Sequence, residues 1–334
     1  MGDNSKRALV TGASGYIGSR LAPALLADGW QVTVLARHPE AIRERSWARD
    51  ETAVRVVTGD ATKPADLARA LEGADVAYYL LHSMDGQGDF QERDKRMAHG
   101  FAQAAADSGV SRVVYQSGLH PQDEELSDHL ASRAEVGEIF LAGEVPTTVL
   151  QAAVIIGSGS ASFEMLRHLT HRLPAMVAPR WLRSRIEPIA IRDVVRLLVA
   201  AAALPADSNR TFDIGCGEVL TYQKLIERFA TADGLRPRLI VPVPFLSPWL
   251  ASHWVGLVTP VPTGVAKPLV GSLVHDVVCS ERDIWDATGV PAPLSLDASI
   301  AAALGGSSRR SGGLPEPGEA DPAWLTSADP EWAG

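Results

Sequence analysis

Positions 8 to 18 read Ala8-Leu9-Val10-Thr11-Gly12-Ala13-Ser14-Gly15-Tyr16-Ile17-Gly18, and this stretch leaves the chain little choice of fold. A short apolar run ends in three glycines spaced three apart, and Leu21, Leu25 and Leu26 follow at helical spacing. The order is strand, tight turn, helix. A helix that starts there offers unpaired backbone N–H groups and the positive end of its dipole, which suits a pyrophosphate. Gly12 lets the chain turn sharply, Gly15 keeps a side chain clear of the phosphates, and Gly18 lets the helix approach the strand. A second strand at 31–35 follows Gly29, so the turn sits where a dinucleotide-binding unit needs it. Ser14, Tyr16 and Ile17 are then expected cofactor contacts beside the three glycines.

Strand and helix signals alternate onward, with strands expected at 54–57, 76–81, 110–116 and 148–156 and helices at 66–71, 93–108 and 128–142. Such alternation predicts an α/β chain with a Rossmann-type, doubly wound parallel sheet. After Gly157 the pattern loosens. A helix is expected at 162–171, an Arg- and Pro-rich loop at 174–185, an apolar helix at 191–204, a strand at 211–214 and a helix at 222–232. The expected organisation is a cofactor domain over 6–156 and about 188–214, with a smaller, partly helical substrate lobe over 157–187 and 215–304. A linker and an acidic, disordered tail follow over 305–334, where Glu316, Glu319, Asp321, Asp329 and Glu331 stand among four prolines.

A net charge of −9 argues against nucleic acid as a partner. Cys216 and Cys279 form neither a disulfide framework nor a metal spacing, and no metal is expected. The short polar stretch before the first strand gives no secretory signal, which makes the cytoplasm the expected compartment. No Asp, Glu, Lys or Arg lies between Arg238 and Lys267, but five prolines break that run and argue against a transmembrane segment. Burial in the substrate lobe, beside Phe245, Trp249 and Trp254, or contact with a membrane surface or another subunit fits it better. Arg180, Arg183 and Arg185 are expected at the substrate entrance. The oligomeric state is open.

Ala36-Arg37 closes the second strand where NAD-selective proteins place a carboxylate. Ala36 cannot bind the ribose hydroxyls, whereas the Arg37 guanidinium can face a 2′-phosphate. NADPH is therefore favoured over NADH. Asp60, with Ala61, is placed for the adenine amino group, and Leu80, Leu81 and His82 end the fourth strand near the nicotinamide ribose.

Several stretches together resemble the atypical and extended short-chain dehydrogenase/reductase superfamily, in the branch of NAD(P)H-binding proteins grouped with nucleoside-diphosphate-sugar epimerases. They are 11–18, the Tyr78-Tyr79-Leu80-Leu81-His82-Ser83-Met84 run, Gly118-Leu119-His120-Pro121, 158–165 and 188–194. The resemblance spans roughly 6–300. It implies a Ser at the end of the fifth strand and a Tyr-x-x-x-Lys pair on the next helix, with Tyr as acid/base and Lys lowering its pKa. Ser117 fills the first position, but His129 and Arg133 stand where Tyr and Lys belong, and no tyrosine here precedes Lys by four. Either His129 substitutes as acid/base with Arg133 as a fixed cation, or the pair is lost and hydride passes without that acid. Tyr115 shares a strand face with Ser117 and is a further candidate. The expected function is an NADPH-dependent reductase of a lipophilic small molecule with an activated C=C, C=N or C=O bond. The alternatives are a non-catalytic NAD(P)-binding sensor or assembly factor, and a sugar-nucleotide epimerase or dehydratase.

Overall fold

The computed structural model describes residues 6–82, 90–121, 126–243, 258–307 and 313–334, without the side chains of 177–181, 242 and 243. Seven parallel strands form its central sheet: β1 (Arg7–Thr11), β2 (Gln31–Ala36), β3 (Val54–Thr58), β4 (Val76–Tyr79), β5 (Arg112–Gly118), β6 (Thr147–Ala152) and a seventh at Arg210–Ile214. Their spatial order, from one edge, is the seventh strand, β6, β5, β4, β1, β2, β3. The order reverses between β1 and β4, which defines the crevice at the carboxyl ends of these strands as the ligand site of a doubly wound sheet.

The strands are apolar on both faces because helices cover both. Successive residues point to opposite sides of a strand. Ala8, Val10, Val32, Val34 and Tyr78 pack toward α1 (Gly18–Ala27), α2 (Glu40–Arg43) and the helix Ile191–Ala201. Leu9, Ala77, Tyr79, Val113, Tyr115 and Val149 pack toward α3 (Pro64–Leu71), α4 (Phe90–Asp107) and α5 (Asp128–Leu141). The Tyr78-Tyr79 pair shows the split. Tyr78 Oη donates to the Leu198 carbonyl, while the Tyr79 ring meets Phe101 and Phe140 edge-on.

A second core forms the smaller lobe, where Phe163 of the helix Ala161–Arg172 meets Phe229 of the helix Tyr222–Ala232 with ring centroids 5.6 Å apart. Buried Glu187 ties this lobe together. It accepts hydrogen bonds from the backbone N–H groups of Gly217 and Cys279 and from the Arg282 guanidinium.

Three expectations need correction. The 174–185 segment is not all loop: Ala175–Pro179 pairs in parallel with Leu239–Val243, and the 3-10 turn Arg180–Arg183 follows. Prolines are tolerated there because a two-stranded ribbon leaves one side of each strand unpaired. The 284–288 stretch is not part of the substrate lobe, since buried Ile284 joins the core that contains Val194 and Phe212. The acidic tail is ordered, because its carboxylates meet specific cations. Asp329 forms a bidentate pair with Arg20 of α1, at 2.7 and 2.9 Å, and both side chains are almost wholly buried. Arg20 also donates to the carbonyls of Pro322, Trp324 and Ser158. Asp321 pairs with Arg192, and Glu316 lies near Arg45. Phe245, Trp249 and Trp254 lie outside the described residues.

Candidate active site

The glycine turn has the tight geometry the spacing implies. Gly12 has φ +74°, and a Cβ there would lie 2.9 Å from the Leu80 carbonyl oxygen. A Cβ on Gly18 would sit 2.2 Å from the Gly12 oxygen. Gly15 is different: a Cβ would approach only the Gly12 oxygen, at 3.3 Å, and would otherwise project into the crevice. Ser14 and Gly15 are exposed. The turn is pinned to the neighbouring strand by Thr11, whose hydroxyl donates to the Tyr78 carbonyl at 2.9 Å. The three helices that begin at Asp128, Ala161 and Tyr222 carry hydroxyl caps from Ser127, Ser160 and Thr221, but no side chain caps α1. The Ser19 and Arg20 N–H groups donate instead to the Gly15 and Ile17 carbonyls, which winds the turn directly into the helix.

Along the same rim, Asp60 accepts from the backbone N–H and hydroxyl of Thr62, both at 2.9 Å. These bonds hold its carboxylate below the usual range, with Arg37 and Lys63 adding to the effect. Arg37 is exposed, and its charge reaches Asp60, so the two expected adenosine-end residues share one corner. Ala61 and Leu81 border the core under α3 and α4.

At the other end of the crevice, Ser117, His129 and Arg133 line one cavity of about 310 Å³. Ser117 is buried at the end of β5, and its hydroxyl donates to the Arg133 carbonyl at 3.4 Å. The Arg133 stem crosses Gly118, where a Cβ would lie 3.3 Å from Arg133 Cδ. His82 brings a second imidazole, with its ring centroid 6.3 Å from that of His129. Burial and the adjacent Arg133 push the His129 pKa down to about 3. His129 is therefore neutral at physiological pH. Tyr115 does not join the cavity wall. Its ring packs against Tyr79 and Phe140, and its hydroxyl donates to the Arg133 carbonyl at 3.3 Å. Burial raises its pKa further.

Most of the remaining lining is apolar, with Leu130, Met165, Leu166, Met176, Leu182 and Leu269 among its walls. Periodicity assigned such residues to packing, so the lining itself went unseen in the sequence. Gln116 was also missed, although a glutamine inside the apolar run of β5 breaks its pattern. Among the described residues, three buried polar atoms on this wall lack a hydrogen-bond partner: Tyr16 Oη, Gln116 Oε1 and Arg133 Nε. Buried polar atoms are ordinarily paired, and these three are exceptions on one wall. Arg183 is exposed beside cavity-lining Leu182, while Arg185 is exposed and paired with Asp276. The Arg180 side chain lies outside the described residues.

Residues 12–152 match the family model described as NAD(P)H-binding. The chain is 29% identical over 238 residues to ceramide reductase of Caulobacter vibrioides, covering 69% of this chain and 72% of that one. It is 27% identical over 268 residues to the dTDP-6-deoxy-L-talose 4-dehydrogenase (NAD(P)(+)) of Kitasatospora kifunensis, covering 71% and 82%. Among solved structures, a nucleoside-diphosphate-sugar epimerase from Staphylococcus aureus superposes with a TM-score of 0.69 at 15% identity, covering 89% of this chain and 99% of that one. The Bordetella bronchiseptica enzyme WbmG, in complex with NAD and UDP, gives 0.68 at 16% identity, covering 90% and 94%. The glycine turn and these likenesses agree: residues 12–152 are similar to the NAD(P)H-binding family, and the chain shares the doubly wound α/β fold of these solved structures.

Proposed function

We propose that the protein is an NADPH-dependent reductase of a lipophilic molecule carrying an activated C=O, C=C or C=N bond. The observation that carries this reading is the cavity, which places Ser117, His129 and Arg133 at one end of a largely apolar chamber. The likeness to ceramide reductase supports a long-chain substrate. The cofactor supplies hydride when bound. Gly12, Ser14, Gly15, Tyr16, Ile17 and Gly18 would cradle its pyrophosphate, Arg37 its 2′-phosphate, Asp60 and Ala61 its adenine, and Leu80, Leu81 and His82 the nicotinamide side.

In this reading the Ser117 hydroxyl turns from the Arg133 carbonyl to donate to the substrate oxygen. Arg133 keeps its positive charge across the physiological range and stabilises negative charge that develops there. Neutral His129 holds a proton on one ring nitrogen. It can pass that proton to the substrate and regain another on the opposite nitrogen. Its proton transfer is worth about 10²–10⁴ in rate. His129→Ala should therefore lower turnover by about that factor, with NADPH affinity nearly unchanged, in a stopped-flow assay of NADPH oxidation. Turnover at the unmutated rate would remove the imidazole from the mechanism.

The likeness to the talose 4-dehydrogenase supports a second reading, a sugar-nucleotide enzyme. The missing Tyr and Lys and the apolar wall favour the lipophile. NADPH oxidation across lipophilic ketones, enones and imines, set against dTDP- and UDP-sugars, separates the two. Tight cofactor binding without turnover on either set would favour a non-catalytic sensor.

A further inference from the structure

The cavity wall has an outer face that is both apolar and cationic. Leu239 and Val241 are 63% and 46% exposed, and Val274 is 37% exposed. Strand alternation sets this arrangement. Ile240, between Leu239 and Val241, pairs with Met176 and packs inward, and Met176 lines the cavity. Val274 directly follows Leu273, another lining residue. The Ser184 hydroxyl donates to the Val274 carbonyl, and the turn Arg180–Arg183 packs beside the strand Leu239–Val243. These segments therefore form one lip, about one side chain thick.

Charge is distributed just as unevenly. No Asp or Glu occurs between Glu164 and Glu187 or between Asp233 and Asp276, yet these two segments hold eight Arg and Lys in a chain of net charge −9. Arg183, Arg236 and Lys267 are exposed, on the turn beside the ribbon, three residues before Leu239 and on the helix Thr263–Ser272 that precedes Val274. Exposed apolar side chains and cations on the same acid-free segments suit an interface where acyl chains lie beneath phosphate groups.

We infer that this lip docks on a bilayer surface carrying anionic phospholipids, and that the cavity behind it takes its substrate from that leaflet. The second clause rests on the reductase reading; the docking does not. The test is co-sedimentation of the full chain with vesicles of phosphatidylcholine alone and of phosphatidylcholine with an equal part of phosphatidylglycerol. Binding to the mixed vesicles is expected, with loss at high salt as the charges are screened. The double variant Leu239→Asp/Val241→Asp should weaken binding at least about tenfold, and so should the triple variant Arg183→Gln/Arg236→Gln/Lys267→Gln. The triple variant alters only exposed side chains, so it keeps the test decisive if the double variant folds poorly. Failure to bind the mixed vesicles would overturn the proposal, as would unchanged binding by the triple variant. A dimer in light scattering that Leu239→Asp/Val241→Asp dissolves, without vesicle binding, would also overturn it and assign the lip to a second copy. Vesicle binding without turnover of lipophilic substrates would leave the docking standing and remove the reductase reading. Turnover of soluble short-chain substrates without vesicle binding would do the reverse.

Discussion

The central sheet and the segments that join the smaller lobe and the tail to it are held by different means. In the cofactor half, apolar side chains alternate across parallel strands in unbroken register, and neighbouring strands satisfy each other's backbone groups. Where the lobe and the tail join that half, single buried carboxylates instead clamp distant segments. Glu187, Asp193 and Asp213 all reach the 279–294 segment, through Cys279 and Arg282, Leu294 and Ser280 respectively. Periodic packing spreads its energy over many side chains, so one change is absorbed. A buried carboxylate concentrates it, because removing one partner leaves the other desolvated.

Glycine substitutions give the strongest way to break this contrast. Gly15→Val should abolish NADPH binding in a fluorescence titration while the thermal midpoint stays close to that of the parent, since the added methyls project into the crevice rather than the core. Normal NADPH affinity in that variant would mean that the cradle is misplaced. Asp329→Ala tests the clamps. It strands Arg20 inside the protein and should cost about 3–5 kcal/mol in chemical denaturation. Arg55→Gln, which breaks an exposed pair with Glu72, should leave the midpoint unmoved. Equal effects from these two would erase the distinction between clamp and surface pair.

These experiments bear on what could be read from the chain alone. The sheet and the glycine turn were legible because their signals are local: a period of two, a period near 3.6, and glycine where a Cβ collides. The site end of β5 was legible through Ser117, and α5 through His129 and Arg133, because chain position places them at the carboxyl rim. The cavity was not, since Met165, Met176 and Leu269 look like any core residues until three separate segments enclose a space. The tail was misjudged for a related reason. Its composition is that of a disordered segment, and only Arg20, Arg45 and Arg192, supplied from elsewhere, give its carboxylates partners.

Smaller effects sharpen the comparison. Arg37→Ala should remove most of a preference for NADPH over NADH, roughly 1.5–3 kcal/mol of charged hydrogen bonding, read from the two dissociation constants. Equal affinities in the parent protein would rule that preference out. A last test is of pH dependence. His129 stays neutral in the folded protein down to about pH 3, whereas in the unfolded chain it takes up a proton near its ordinary value of 6.5. Between these values the unfolded state binds more protons, so stability falls as pH drops through that window. His129→Gln should flatten part of this slope in denaturation measured from pH 7 to pH 4. An unchanged slope would place the imidazole in a more hydrated setting.

The bond between Arg20 and Asp329 joins residues 309 positions apart. Arg20 belongs to a crossover helix translated long before Asp329, and its guanidinium stacks 4.0 Å from the centre of the Tyr16 ring on the glycine turn. Until Asp329 is made, that guanidinium has no carboxylate to enter the interior with, and water must serve it. Domains generally consolidate from the N-terminus during synthesis, and contacts of such long range slow folding. In this protein the nucleotide cradle is translated early and completed late, so synthesis and consolidation run in opposite directions along the chain.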